Sequence, residues 1–201
     1  MRDSAHPHGS TTSTTPSSTG RRLRGGLATA GLAAVLLTAM PVASASAAPS
    51  KLPPGSVMIQ SAGFRGYELC ASPDDQSVYL KPIDTHNRYC AWQQIASGPA
   101  TVLQNVGKDQ QVMAYTGGNQ GAVVMEDAKT DDNGNTPNTE LWSWGGEEGW
   151  GGFALQSFSD SGQNVDAKDP NKDAPRTDAV HTRGWRHGNQ RELTWNAVPV
   201  R

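Results

Sequence analysis

The sequence predicts an all-β domain of three four-stranded repeats related by a pseudo-threefold axis, and three observations carry that expectation. The apolar runs are three to five residues long, rich in Val, Ile, Leu, Tyr and Trp, and separated by clusters of Gly, Asp, Asn, Pro and Ser. No window of a dozen residues sustains a 3.6-residue period, so helices should be short or absent. The same order of segments also recurs three times along the chain.

Each repeat opens with an apolar pair followed by Gln: Met58-Ile59-Gln60, Val102-Leu103-Gln104 and Ala154-Leu155-Gln156. A second strand follows as Glu68-Leu69-Cys70-Ala71, Gln111-Val112-Met113-Ala114 and Asn164-Val165-Asp166-Ala167. Beyond a polar turn the third strand is expected at Val78-Tyr79-Leu80, Val123-Val124-Met125 and Ala179-Val180-His181. A Trp closes each unit. With Trp92, Trp144 and Trp195 in that role the spacings are 52 and 51. About a dozen short strands suit a closed or nearly closed β structure, because closure removes edges on which another chain could pair. The repeated Leu, Val and Trp anchors are expected to pack around the axis.

Ahead of the repeats stands an export leader. Residues 1–20 are rich in Ser, Thr, His and Pro and cannot bury a core. Arg21-Arg22-Leu23-Arg24 then precedes an apolar stretch from Gly25 to Met40, and Val42 to Ala48 offers overlapping small-x-small cleavage sites. A charged, an apolar and a cleavable region in that order describe a signal peptide over 1–48. The Ala and Gly content makes the stretch a poor permanent span, so a secreted, extracellular protein without membrane insertion is expected. The Arg pair admits the twin-arginine route, but Leu23-Arg24-Gly25 matches that signal poorly and favours the general secretory one. A short linker over 49–54 leads to the domain at 55–199, with repeats at about 55–98, 99–150 and 151–199.

The whole chain of 201 residues carries a formal charge of −2, and loss of the leader leaves 13 basic against 18 acidic residues. Such a balance excludes the cationic excess that neutralises phosphates, and points to glycans or proteins as partners instead of nucleic acid. Cys70 and Cys90, both beyond the leader, read as one disulfide closing a loop of about 20 residues, worth roughly 3 kcal/mol. The rival role, a Cys nucleophile with His86 or His181, has no supporting motif around either Cys.

The order apolar-Leu-Gln, Leu-Cys-Ala, apolar strand and x-x-Trp resembles the ricin-type β-trefoil lectin family, which carries a Q-x-W motif in each repeat. The resemblance covers about residues 55–199 and is best at Val102-Leu103-Gln104-Asn105 and Gly66-Tyr67-Glu68-Leu69-Cys70. It implies a β-trefoil fold and carbohydrate binding. The chain departs from the motif: Cys90, Trp142 and Leu193 stand where Gln is expected before Trp92, Trp144 and Trp195.

By the same resemblance, a sugar pocket needs an Asp just after the second-strand cysteine position, an aromatic platform beyond it, and an Asn or Gln near the closing Trp. A carboxylate or amide pairs with vicinal hydroxyls, and an aromatic face covers the apolar side of a sugar ring. The first repeat offers Ser72, Tyr79 and Tyr89, and the second offers Ala114 or Met113 at the carboxylate position, so neither pocket is complete. The third keeps Asp166, with His181 or Trp185 as platform and Asn189 and Gln190 downstream. The plainer role for Asp166 is to end a strand and cap a turn. Trp144 is expected as a core anchor. Trp150, set among glycines, is either an exposed aromatic or a cover for the end of the barrel.

Catalytic and metal signals are weak. Counting an EF-hand from Asp131 puts Thr136 at the sixth position and Trp142 at the twelfth, where Gly and Glu are needed, so the acidic stretch reads as a turn with Asn133-Gly134 at its tip. His86, His181 and His187 have no zinc spacing, and no G-x-S-x-G elbow occurs. Asp74-Asp75 and Glu147-Glu148 read as solvated faces. A non-catalytic protein with no metal or cofactor is expected, binding a glycan or polysaccharide. The alternative is a protein-binding trefoil, a protease inhibitor or docking subunit of a secreted complex. Loops 126–140, 145–152 and 168–189 would reach the partner, and Arg176, Arg183 and Arg186 are candidates for a trypsin-like pocket.

Overall fold

The structure, a computed structural model, describes residues 51–146, 151–186, 188 and 190–200, all within the unit Ser46–Arg201. The expected leader over 1–48, Trp150, His187 and Asn189 lie outside the described residues.

The first repeat holds β1 (Val57–Ser61), β2 (Tyr67–Ala71), β3 (Val78–Pro82) and β4 (Ala91–Ser97). The second holds β5 (Ala100–Asn105), β6 (Gln111–Tyr115), β7 (Val123–Asp127) and β8 (Leu141–Gly145). The third holds β9 (Phe153–Ser157), β10 (Gln163–Asp166), β11 (His181–Gly184) and β12 (Thr194–Pro199). The fold is a β-trefoil. Six strands close a barrel, since β1 pairs with β12 and β4, β5 with β4 and β8, and β9 with β8 and β12, all antiparallel. The hairpins β2–β3, β6–β7 and β10–β11 cap one end of it.

The repeated Gln marks where each barrel strand hands over to its hairpin: Gln60 faces Glu68, Gln104 faces Val112, and Gln156 faces Asn164. The residue before each Gln points inward, and Ile59, Leu103 and Leu155 are wholly buried. At the cap, the Val123 amide donates to the Val180 carbonyl at 3.2 Å and the Val180 amide to that of Val78 at 2.7 Å, so the three hairpins meet at the axis.

One strand and one anchor differ from expectation. The third strand of the last repeat begins at His181, not Ala179. Val180 is engaged at the axis, and the preceding loop makes a short ladder of its own through Lys168 and Pro175. The closing Trp of the second repeat is Trp142, not Trp144. A 3-10 turn precedes each fourth strand, at Arg88–Cys90, Asn138–Glu140 and Arg191–Leu193, and the buried Trp lies two residues past each turn. Trp92, Trp142 and Trp195 donate their indole N–H groups to the carbonyls of Leu69, Met113 and Val165 at 2.8, 2.8 and 3.1 Å. Burying the ring while satisfying its donor is what makes Trp affordable in a core. The anchors are thus 50 and 53 residues apart, and Glu140 stands two residues before Trp142.

Those three bonds set the register between repeats. Cys70, Ala114 and Asp166 each follow an indole acceptor and are equivalent, as are Cys90, Glu140 and Leu193. The first repeat alone joins the pair covalently, by the disulfide Cys70–Cys90.

A candidate carbohydrate cleft at the third hairpin

Asp166 ends β10 directly opposite His181, the first residue of β11. Its Oδ1 accepts from the Lys168 amide at 3.0 Å, closing the turn that leaves the strand. Its Oδ2 accepts from Arg183 Nε at 2.7 Å. The same guanidinium donates through Nη2 to Glu192 Oε1 at 2.9 Å. Burial works against the Arg183 charge, but the two carboxylates outweigh it and hold the group more firmly protonated than a free arginine. Asp166 therefore caps a turn and also anchors an ion-paired triad.

The long loop of this hairpin folds a second arginine inward. The Arg176 amide donates to Ala167 O at 2.7 Å, its carbonyl accepts from Leu80 N at 3.0 Å, and the residue is only 7% exposed. Nη1 donates to Ala179 O at 3.0 Å and to Asp178 Oδ1 at 3.3 Å. It also lies 3.3 Å from His181 Nδ1. A guanidinium can only donate, so Nδ1 is the acceptor in that contact and the ring proton sits on Nε2. Arg176 Nε is buried without a partner among the described residues.

The second repeat completes the enclosure. Gln120, in the β6–β7 turn with φ of 60°, reaches toward the third hairpin, and the Thr182 amide donates to Gly121 O at 2.8 Å. A Cβ on Gly121 would stand 2.3 Å from the Gly117 carbonyl, so glycine is needed for the turn to close this tightly. Between the two hairpins lies a cleft of about 210 Å³, lined by Gln120, Asp166, Arg176, His181, Thr182 and Arg183 together with Pro170.

The structure brings together two of the five residues expected for a sugar site, Asp166 and His181. Trp185 and Gln190 stand on the segment after β11 and do not line the cleft. The Trp185 indole donates to Gly188 O at 3.2 Å, and Gln190 Oε1 accepts from the Arg186 amide at 2.8 Å. Asn189 lies outside the described residues. By the register of the indole bonds, Asp166 occupies the position of Cys70, so the position matching Ser72 is Thr116 in the second repeat and Lys168 in the third. The cleft is therefore built from a different set of groups than the resemblance implied. Gln120, Arg176 and Arg183 were not singled out for it by the sequence; an arginine near an acid across the expected hairpin is the one signal that could have found Arg183.

Other expected features find their places. Arg176 is buried and Arg183 is paired on both sides, so of the three arginines considered for a protease pocket Arg186 is the exposed one. Asp131 Oδ1 accepts from the Asn133 and Asn135 amides at 2.9 and 2.8 Å, closing the acidic turn on itself. Among the described residues, the grouping with metal-ligand proximity is Glu68, Cys70 and Cys90, whose two sulfurs are joined in the disulfide. No described helix is long and apolar enough to cross a membrane.

No protein-family model and no curated protein match the sequence. Solved structures do. A mosquitocidal holotoxin superposes with a TM-score of 0.59 at 14% identity over 74% of this chain, which spans 17% of the toxin. A designed 3-fold symmetric protein, ThreeFoil, gives 0.56 at 14% identity, covering 72% of this chain and 98% of that one. The Macrolepiota procera ricin B-like lectin, in complex with lactose, gives 0.56 at 15% identity over 75% and 99% of the two chains. At these identities the likeness establishes the β-trefoil architecture.

Proposed function

We propose that the protein is an exported, non-catalytic glycan-binding trefoil whose site is the cleft at the third hairpin. The observation that carries this reading is the meeting of a carboxylate, two guanidiniums, an imidazole and a carboxamide in one cleft of about 210 Å³. Asp166 keeps acceptor capacity beyond its two bonds, Gln120 supplies both donor and acceptor, and the Nε2–H of His181 is a donor; such groups match the paired hydroxyls of a sugar. The imidazole plane offers a small platform. Trp185 and Gln190 would meet a ligand that extends past the cleft toward the 3-10 turn at Arg191–Leu193.

A binding role, not a catalytic one, is supported by how the acid is held. Asp166 accepts from Arg183 and from a backbone amide, so each of its oxygens already has a structural partner that fixes the orientation of the carboxylate. Export is supported by the composition of residues 1–48 and by the Cys70–Cys90 bridge, which suits an oxidising compartment. A lectin with this architecture holds lactose, which supports glycans as the ligand class. A glycan and polysaccharide binding screen tests the reading, with Asp166→Ala and Gln120→Gly as controls.

A further inference from the structure

We propose a second carbohydrate site, at the open end of the barrel, that takes the flat face of a neutral, gluco-configured pyranose. It stands independently of the hairpin cleft, which lies at the capped end.

Strand alternation builds the site. Trp92, Trp142 and Trp195 point into the barrel, and side chains two residues further along a strand share that face. Along β4, β8 and β12 the next inward positions are Gln94, Trp144 and Ala197; on β9 the matching position before Leu155 is Phe153. These four residues, with Asn196, line a cavity of about 340 Å³. That falls within the roughly 300–1,000 Å³ of small-molecule sites, and barrel mouths are a recurrent place for them.

The pseudo-threefold symmetry is broken here, with an amide, an indole and a methyl group at equivalent positions. The Trp144 indole donates to Gln94 Oε1 at 2.9 Å, which fixes the ring and turns the Gln94 amide into an oriented donor. Its NH2 group has no partner among the described residues. Asn196 donates through Nδ2 to Gly151 O at 3.4 Å, and its Oδ1 has no donor among the described residues. Phe153 is 49% exposed, so its ring is accessible to a ligand in this cavity.

Two aromatic faces flanked by amides that each keep one polar end available suit a sugar ring better than a purely apolar partner. An all-equatorial pyranose presents its axial C–H groups to an aromatic face while its equatorial hydroxyls radiate toward flanking donors and acceptors. An axial hydroxyl would interrupt that contact. Among the described residues the lining holds no charged side chain, which favours a neutral glycan over an acidic one.

The test is an NMR titration of the purified protein with cellotetraose, following the tryptophan indole N–H resonances, with that of Trp144 assigned by its loss in Trp144→Phe. The expected result is a saturable shift of the Trp144 resonance. Trp144→Ala should weaken binding at least about tenfold, which is roughly 1.4 kcal/mol, while Trp144→Phe retains most of the affinity. A Gln94→Ala/Asn196→Ala double variant should weaken it comparably and carries the test if Trp144→Ala fails to fold. No shift at Trp144, binding indifferent to both mouth variants, or a concentration-dependent dimer abolished by Trp144→Ala would each overturn the proposal. Failure of the cleft reading would show separately, as glycan binding that Asp166→Ala does not alter anywhere.

Discussion

Arg183 donates from Nε to Asp166 Oδ2 at 2.7 Å, joining β11 to the end of β10, and both side chains are largely shielded from water. The pair matters because Asp166 occupies the position that Cys70 holds in the first repeat. Where that repeat is stapled by a disulfide, the third is held by charge.

A double-mutant cycle on this pair should therefore report real coupling. Asp166→Ala strands a shielded guanidinium with Glu192 alone, and Arg183→Ala removes the donor shared by two acids. We expect each to cost about 1–3 kcal/mol and the coupling to be at least about 1 kcal/mol by urea unfolding. Full additivity would show that the contact does not stabilise the native state.

The two neighbouring tryptophans should behave very differently. Trp142 is wholly buried with its N–H bonded to Met113 O, so Trp142→Ala should cost about 3–5 kcal/mol. Trp144 sits at the barrel mouth, and Trp144→Ala should cost about 1 kcal/mol. The reverse ranking, read from melting curves, would mean that the second repeat is out of register.

Stability should fall as pH rises from about 4.5 towards neutrality. Glu68 is fully buried, its Oε1 accepts from the Asp84 amide at 2.9 Å, and its Oε2 has no partner among the described residues. Burial, with the charge of Asp84 adding to it against the backbone bond, pushes its carboxyl up to about 7. Below the unfolded value of 4.5 both states hold the proton and pH has no effect through this group. Between 4.5 and about 7 the native state keeps a proton that the unfolded chain has lost, so stability declines, by up to about 3 kcal/mol, and then levels off. Burial raises the Glu140 carboxyl as well, which acts in the same direction. Glu68→Gln, which mimics the neutral acid, should flatten the decline. A profile unchanged by that substitution would assign the dependence to another group.

Reduction of Cys70–Cys90 opens a loop of 20 residues and should cost about 3 kcal/mol. Thermal melts with and without a dithiol reductant measure it directly. An unchanged midpoint, with both thiols verified free, would contradict the expected loss.

The barrel was legible because its signals are local. The apolar-apolar-Gln segments place Ile59, Leu103 and Leu155 inward and mark the handover to each hairpin without any knowledge of pairing. The second closing Trp was not, because Trp142-Ser143-Trp144 puts both indoles on the same strand face. The 3-10 turn at Asn138–Glu140 and the Met113 carbonyl decide between them, and neither is visible in strand alternation. The cleft was half legible. Asp166 and His181 follow from the pocket that the family resemblance implies, whereas Arg183 requires the true start of β11 and Gln120 comes from another repeat. Trp185 and Gln190 are close to that hairpin in sequence, yet the chain has left the cleft before it reaches them.

The central claim is glycan binding at the third hairpin, and one measurement tests it most directly: a glycan and polysaccharide screen of the purified protein beside Asp166→Ala and Gln120→Gly. Gln120 is an exposed turn residue already at positive φ, so Gln120→Gly alters the cleft without straining the fold. The account predicts binding that both variants reduce while Gln120→Gly keeps the melting temperature of the unaltered protein. Absence of binding across the screen, or binding that persists in Trp144→Ala and that neither cleft variant changes, would contradict it.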